Sequence, residues 1–125
     1  MSTLCQLENC KTMKRLFDIP YIQLEKYPNE AMFSTKKEGA WIPISCKDFL
    51  SKVNEYSRAL VGFGIKPNDK VAIVSTNRVE WNMMDIAILQ IGAIVVPVYP
   101  NISTKDYKYI FADAEIKLCF CGSAE

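Results

Sequence analysis

From Lys70 to Cys121 the sequence repeats one unit, an apolar run followed by a loop and a helix-spaced stripe, and this repeat constrains the fold more than any other feature. Val71-Ala72-Ile73-Val74 is apolar throughout, as expected of a strand covered on both faces. The loop Ser75-Thr76-Asn77-Arg78 leads into a predicted helix from Val79 to Ile91, with Trp81, Met84, Ile88 and Ile91 on one stripe. Met83, Ile86, Ala87 and Leu89 widen that stripe nearly all round, which places the helix between two other layers. Ile94 to Val98 reads as a second strand, in which Pro97 has no N–H to donate and belongs at the strand's end or at a gap in the ladder. Ser103 and Asp106 form a capping-box pattern before a helix lined by Tyr107, Ile110, Phe111 and Ala114, and Ile116 to Cys121 gives a third strand. Strands separated by helices in this order are parallel neighbours joined by right-handed crossovers, so the fold class is α/β.

Upstream the signals are of a different kind. Asp18 before Ile19-Pro20 marks a helix start, with Tyr21, Leu24 and Tyr27 on one side, and Pro28-Asn29 stops it. Two extended runs, Ala31 to Thr35 and Ala40 to Ile44, flank Lys36-Lys37-Glu38-Gly39, a loop suited to a small antiparallel hairpin. Ser45 with Asp48 repeats the capping pattern before an amphipathic helix carrying Phe49, Val53, Tyr56, Leu60 and Phe63, ended by Gly62 or Gly64 and by the turn Lys66-Pro67-Asn68-Asp69. The domain reading is a flexible leader over residues 1–15 and one α/β unit over residues 16–125.

Half of the residues are hydrophobic, enough for a real core. The 15 basic and 14 acidic residues are interspersed, so nothing calls for nucleic acid. Histidine is absent, which removes imidazole as base, proton shuttle or metal ligand. No signal peptide precedes the five cysteines, and Ile86 to Val98 falls short of the roughly 20 apolar residues of a membrane span, so a cytoplasmic, reducing setting is expected.

Few residues suggest chemistry. Cys119 and Cys121, two apart on a strand, present both thiols on one face, yet zinc sites draw four ligands and Cys5, Cys10 and Cys46 have no matching spacing, so buried, inert thiols are the expectation. Asp85 on the apolar helix would mark a site if buried, but the edge of the helix or a local partner is the commoner place for such an acid. Asn77 and Arg78 follow a parallel strand, where open sheets contact ligands, but no glycine-rich fingerprint accompanies them. Tyr21, Tyr27, Tyr56, Tyr107 and Tyr109 lack a basic stripe and read as packing.

The segments Lys70 to Trp81 and Leu89 to Pro100 resemble the early part of long-chain fatty acyl-CoA synthetases, bacterial members above all. Ile44 to Leu50 resembles the first core motif of the adenylate-forming superfamily, with Asp48 and Phe49 at its acid and leucine places, and Gly92 to Pro97 resembles the second. The resemblance runs from about Leu16 to Glu125 and implies the N-terminal portion of that enzyme fold: helix, small hairpin, helix, then β-α-β-α-β. It also implies a parent enzyme that joins a carboxylate to AMP with ATP and magnesium and passes the acyl group to coenzyme A. That enzyme would be peripheral at the membrane.

The family's phosphate loop, a Ser/Thr/Gly-rich run ending in Pro-Lys-Gly, does not occur between Met1 and Glu125, nor do its later adenine, ribose and magnesium motifs or its C-terminal lysine. No catalytic, cofactor-binding or metal-binding residue is therefore assigned, and no cofactor is expected for this chain alone. The final strand has no following helix to cover it, so truncation is expected, with the remainder of the synthetase as partner. Two competing readings are a free-standing α/β interaction or small-ligand module without catalysis and a flavodoxin-like nucleotide binder.

Overall fold

The computed structural model describes residues 15–122. The leader expected over residues 1–15 therefore lies outside the described residues except at Arg15, as do Cys5 and Cys10. A 3-10 turn, Leu16–Asp18, runs into α1 (Ile19–Lys26), followed by the hairpin strands β1 (Phe33–Lys37) and β2 (Ala40–Ile44) and the long helix α2 (Cys46–Gly62). The repeat then forms β3 (Lys70–Val74), α3 (Val79–Gln90), β4 (Ile94–Val98), α4 (Thr104–Asp113) and β5 (Ile116–Cys121).

Both serine caps form as the spacing predicts. Ser45 Oγ accepts from the Asp48 N–H at 3.0 Å and donates to the Asp48 carboxylate at 2.7 Å. Ser103 does the same with Asp106, at 3.2 and 2.6 Å. Asp18 occupies the cap position of α1 with Pro20 in the first turn, but it makes no side-chain cap bond; its carboxylate is engaged by the Arg15 guanidinium at 2.8 Å. Tyr27 falls just past α1 and is exposed.

The hairpin differs from the sequence expectation. β1 begins at Phe33 and continues through Lys36 and Lys37, which pair with Trp41 and Ala40. Glu38 and Gly39 alone make the turn, both at positive φ (48° and 85°), the type I′ geometry that matches strand twist. A glutamate in that conformation is uncommon, which is why the lysines read as loop.

β3 is the centre of a three-stranded parallel sheet of order β4-β3-β5. Val71, Ala72 and Ile73 are wholly buried, as the unbroken apolar run requires, whereas β4 and β5 are edge strands and Ile94 is exposed. Pro97 sits one residue from the end of β4, on an edge strand, where a missing N–H is tolerated. One face of the sheet presents Val71, Ile73, Leu118 and Phe120 to α2 and α3, which also pack against each other. The other face carries Ala72, Val74, Cys119 and Cys121, with Tyr107 and Phe111 of α4 beside the last three. The β3–α3–β4 and β4–α4–β5 crossovers run in opposite directions across the sheet and so put their helices on opposite faces when both are right-handed.

The core joins Phe49, Val53 and Leu60 of α2 to Met83, Met84 and Ile88 of α3. Phe33 stacks on Phe49 with ring centroids 5.2 Å apart, which ties the hairpin to that core. Phe63, expected on the buried stripe, is 75% exposed because α2 ends at Gly62 and Phe63 caps it. Gly64 then reverses the chain at φ 83°.

Candidate functional site

Open parallel sheets place ligand contacts at the carboxyl ends of their strands. Here those ends are Val74, Val98 and Cys121, and the loops that follow them enclose two cavities. One, of about 350 Å³, is lined by Ser75, Thr76, Asn77, Trp81, Tyr99 and Pro100. The other, of about 420 Å³, lies between the sheet and α4 against Ser75, Tyr107, Phe111, Cys119 and Cys121. Ser75 and Thr76 therefore form the partition between two apolar-walled clefts.

Arg78 decides what this end of the sheet can do. It is the only charged residue in the loops 75–78 and 99–103. Its Nε donates to Glu80 at 2.9 Å and its Nη1 donates to the Gly122 carbonyl at 2.8 Å. The ion pair holds the Glu80 carboxyl below its ordinary range and raises the guanidinium further. Arg78 thus acts as a strap from the start of α3 to the end of β5, and its charge is already answered. Gly122 belongs to the same latch: its N–H donates to the Val74 carbonyl at 2.9 Å, and a Cβ there would collide with the Ser75 side chain. Asn77 lines both the Trp81 cleft and a cleft beside β1.

The other singled-out residues separate. Asp85 is half-buried on α3, and burial raises its carboxyl pKa; its carboxylate makes no hydrogen bond or ion pair among the described residues. Tyr21 is more than packing, since its hydroxyl lies 2.8 Å from Gln90 Oε1 and 3.0 Å from Asn54 Oδ1, joining α1 to α3 and α2. Tyr107 donates to the Tyr99 carbonyl at 2.9 Å and so fixes the loop before α4. Cys119 and Cys121 share a face as expected, with sulfurs 3.6 Å apart, but they are not buried: Cys121 is exposed and Cys119 partly so. The physical reason is that α4 alone covers this face and buries none of its own residues fully. Partial burial, then the neighbouring Cys121 thiol, push Cys119 up to about 12.

Sequence reasoning missed the Trp81–Tyr99 cleft and the Arg78–Gly122 latch. A glycine directly after a strand was the one available sign of the latch, since close backbone approach selects glycine.

Comparison with known proteins decides the family. Residues 21–125 match the family described as "AMP-binding enzyme". The chain belongs to that family. It is 28% identical over 93 residues to the long-chain-fatty-acid–CoA ligase FadD15 of Mycobacterium bovis, covering 74% of this chain and 16% of that protein. With fatty acyl-CoA synthetase B of Dictyostelium discoideum it shares 29% identity over 114 residues, 86% of this chain and 17% of that one. The chain thus spans about a sixth of the length of these curated relatives. Among solved structures, IdnL1 superposes with a TM-score of 0.83 at 18% identity, over 90% of this chain and 24% of that one. The fatty acid AMP ligase from Legionella pneumophila gives 0.79 at 16% identity, over 95% and 21%. These two likenesses support the fold, and the α/β architecture of this chain agrees with them. Among the described residues, no helix is long and apolar enough to cross a membrane.

Proposed function

We propose that this chain is the N-terminal scaffold portion of an ATP-dependent fatty acid–CoA ligase, residues 16–125 forming part of its large domain, and that alone it performs neither adenylation nor thioester formation. The observation that carries this reading is the state of Arg78. The triphosphate of ATP needs free cationic or backbone donors, and the one cation at the strand ends is committed to Glu80 and to the Gly122 carbonyl. Nor do the described residues fit a magnesium ion, for they include no group of three or more carboxylate, thiol or imidazole ligands. No reaction step is derived through ATP, magnesium or coenzyme A on these residues. Their place is in the rest of the ligase, which is also the proposed partner, with a fatty acid as its substrate and the cytoplasm as its setting.

What the chain contributes is the two-faced sheet and the latch that fixes the ends of its strands. The test is ATP–pyrophosphate exchange by the purified 125-residue chain with fatty acids of several lengths. Exchange at the level of the no-enzyme control is expected. Turnover that scales with protein concentration and is lost with an Arg78→Ala variant would overturn the proposal.

A further inference from the structure

Cys119 and Cys121 are used by neither the scaffold role nor the latch, and β5 brings them together on the face that α4 covers loosely. Their sulfurs lie 3.6 Å apart at the wall of the cleft of about 420 Å³. Cys121 is exposed and Cys119 partly so, and a small reagent entering the cleft therefore meets Cys121 first. The next residue, Gly122, carries both bonds of the latch, its N–H to Val74 and its carbonyl to Arg78. We propose that Cys119 and Cys121 are a reversible oxidation site, closed to an intrastrand disulfide by a small-molecule disulfide of the glutathione class, and that closure loosens the Gly122 latch.

The place of the pair in the sheet is what permits closure. Two residues of extended strand span about 6.6 Å between Cα atoms. That is inside the limit of about 6.8 Å for a disulfide but at its long end, and the Cβ atoms have to approach to about 3.8 Å. β5 must therefore pucker at Phe120. In a central strand this would break ladders on both sides, but β5 is an edge strand that ends at Cys121, so only the rungs pairing Cys119 with Ala72 and Cys121 with Val74 have to yield. The pull reaches Gly122, one residue on, and a bond closed against the ladder is easily reduced again, as strained and exposed disulfides are. In the first step Cys121 gives its proton to solvent, its sulfur attacks the S–S bond of the reagent, and one glutathione leaves as a thiolate that takes up a proton. In the second, Cys119 loses its proton and attacks the Cys121 sulfur, and the other glutathione leaves as a thiol. Two protein thiols are thereby oxidised by two electrons, and one glutathione disulfide is reduced to two thiols. Cys46, 1% exposed, is out of the reagent's reach. The proposal does not depend on the ligase reading.

The test uses the folded 125-residue chain with Cys5→Ser and Cys10→Ser substitutions, incubated with oxidised glutathione and quenched in acid. Trypsin cuts after Lys117 and leaves both cysteines in peptide 118–125, so the pair is read by mass whatever happens elsewhere. That peptide is expected to lose two hydrogens and to regain them with dithiothreitol. Adding Cys119→Ser is expected to stop the reaction at a glutathione adduct on Cys121, and adding Cys121→Ser to slow it at least tenfold. Hydrogen exchange followed by NMR is expected to be at least tenfold faster at the Gly122 amide in the closed form than in the reduced one. A glutathione adduct that persists on peptide 118–125 of the parent, no oxidation of that peptide, or an unchanged Gly122 rate in the closed form each overturns the proposal. The mass and exchange readings need no substitution in β5, so they decide the matter even if a serine variant there fails to fold.

Discussion

Asp85 is the residue whose placement works against the fold. Its half-burial on α3 raises the carboxyl pKa by desolvation, so the folded state binds its proton more tightly than the unfolded chain does. A raised pKa contributes stability that is fully present below the unfolded value, about 3.9, and is lost as pH rises through the folded value. At neutral pH the ionised group opposes folding, and solvent at its exposed side keeps the effect modest. Asp85→Asn keeps the shape, has a similar helix propensity and removes the charge. It is expected to raise Tm at pH 7 by a few degrees, with the gain shrinking as pH falls through the raised folded value and vanishing below about 4, measured by circular dichroism melts across pH. A variant melting at or below the parent at pH 7 would show that the carboxylate has a stabilising partner. The sequence singled Asp85 out as an acid among Met83, Met84 and Ile86 but favoured the helix edge or a local partner, and no such partner is present among the described residues. How buried it is was not legible there, since that depends on the tertiary packing around α3. The same limit applied to Cys119 and Cys121: strand periodicity put them on one face, but only tertiary packing leaves that face to a single, loosely seated helix.

Among the elements, the parts fixed by neighbours three or four residues away were the most legible. Both capping boxes could be read because Ser45 and Asp48, like Ser103 and Asp106, meet through local geometry alone. The hairpin strands were harder, since Glu38 in a left-handed conformation has no sequence signature and the lysines before it look like loop. Strand order was not readable at all: alternation of strand and helix gives parallel neighbours, but that β5 returns to the far side of β3 is a property of the assembled sheet. The two caps also differ in what they hold. Ser45 is buried and starts the helix that carries Phe49, Val53 and Leu60 into the core, whereas Ser103 is exposed and starts α4, which buries no residue fully. Removing either cap leaves one N–H unpaired, at a cost of about 0.5–2 kcal/mol. Ser45→Ala is expected at the upper end, because water cannot readily replace the hydroxyl there, and Ser103→Ala at the lower end. Urea unfolding curves give the comparison. Equal losses would mean that α4 is as tightly coupled to the core as α2.

Across the whole molecule, stability should fall away from β3 in a definite order. β3 has a hydrogen-bonded strand on each side and Val71, Ala72 and Ile73 with no exposed surface, so its amides open only when the domain unfolds. α2 and α3 share the core cluster with it and are further joined through Tyr21, Asn54 and Gln90, where the Gln90 amide donates to Asn54 Oδ1 at 2.8 Å. α4 lacks a single buried residue, and the hairpin touches the core through Met32, Phe33 and Ile44 while Trp41 and Ile42 stand exposed. Native-state hydrogen exchange is therefore expected to give β3 the protection of global unfolding, α2 and α3 slightly less, and α4 and the turn at Glu38–Gly39 the least. Tyr21→Phe breaks the link from α1 without opening a cavity, so it should speed exchange in α1 while leaving β3 set by the global free energy. If α4 instead exchanged as slowly as β3, the sheet would be held from both faces in this chain alone.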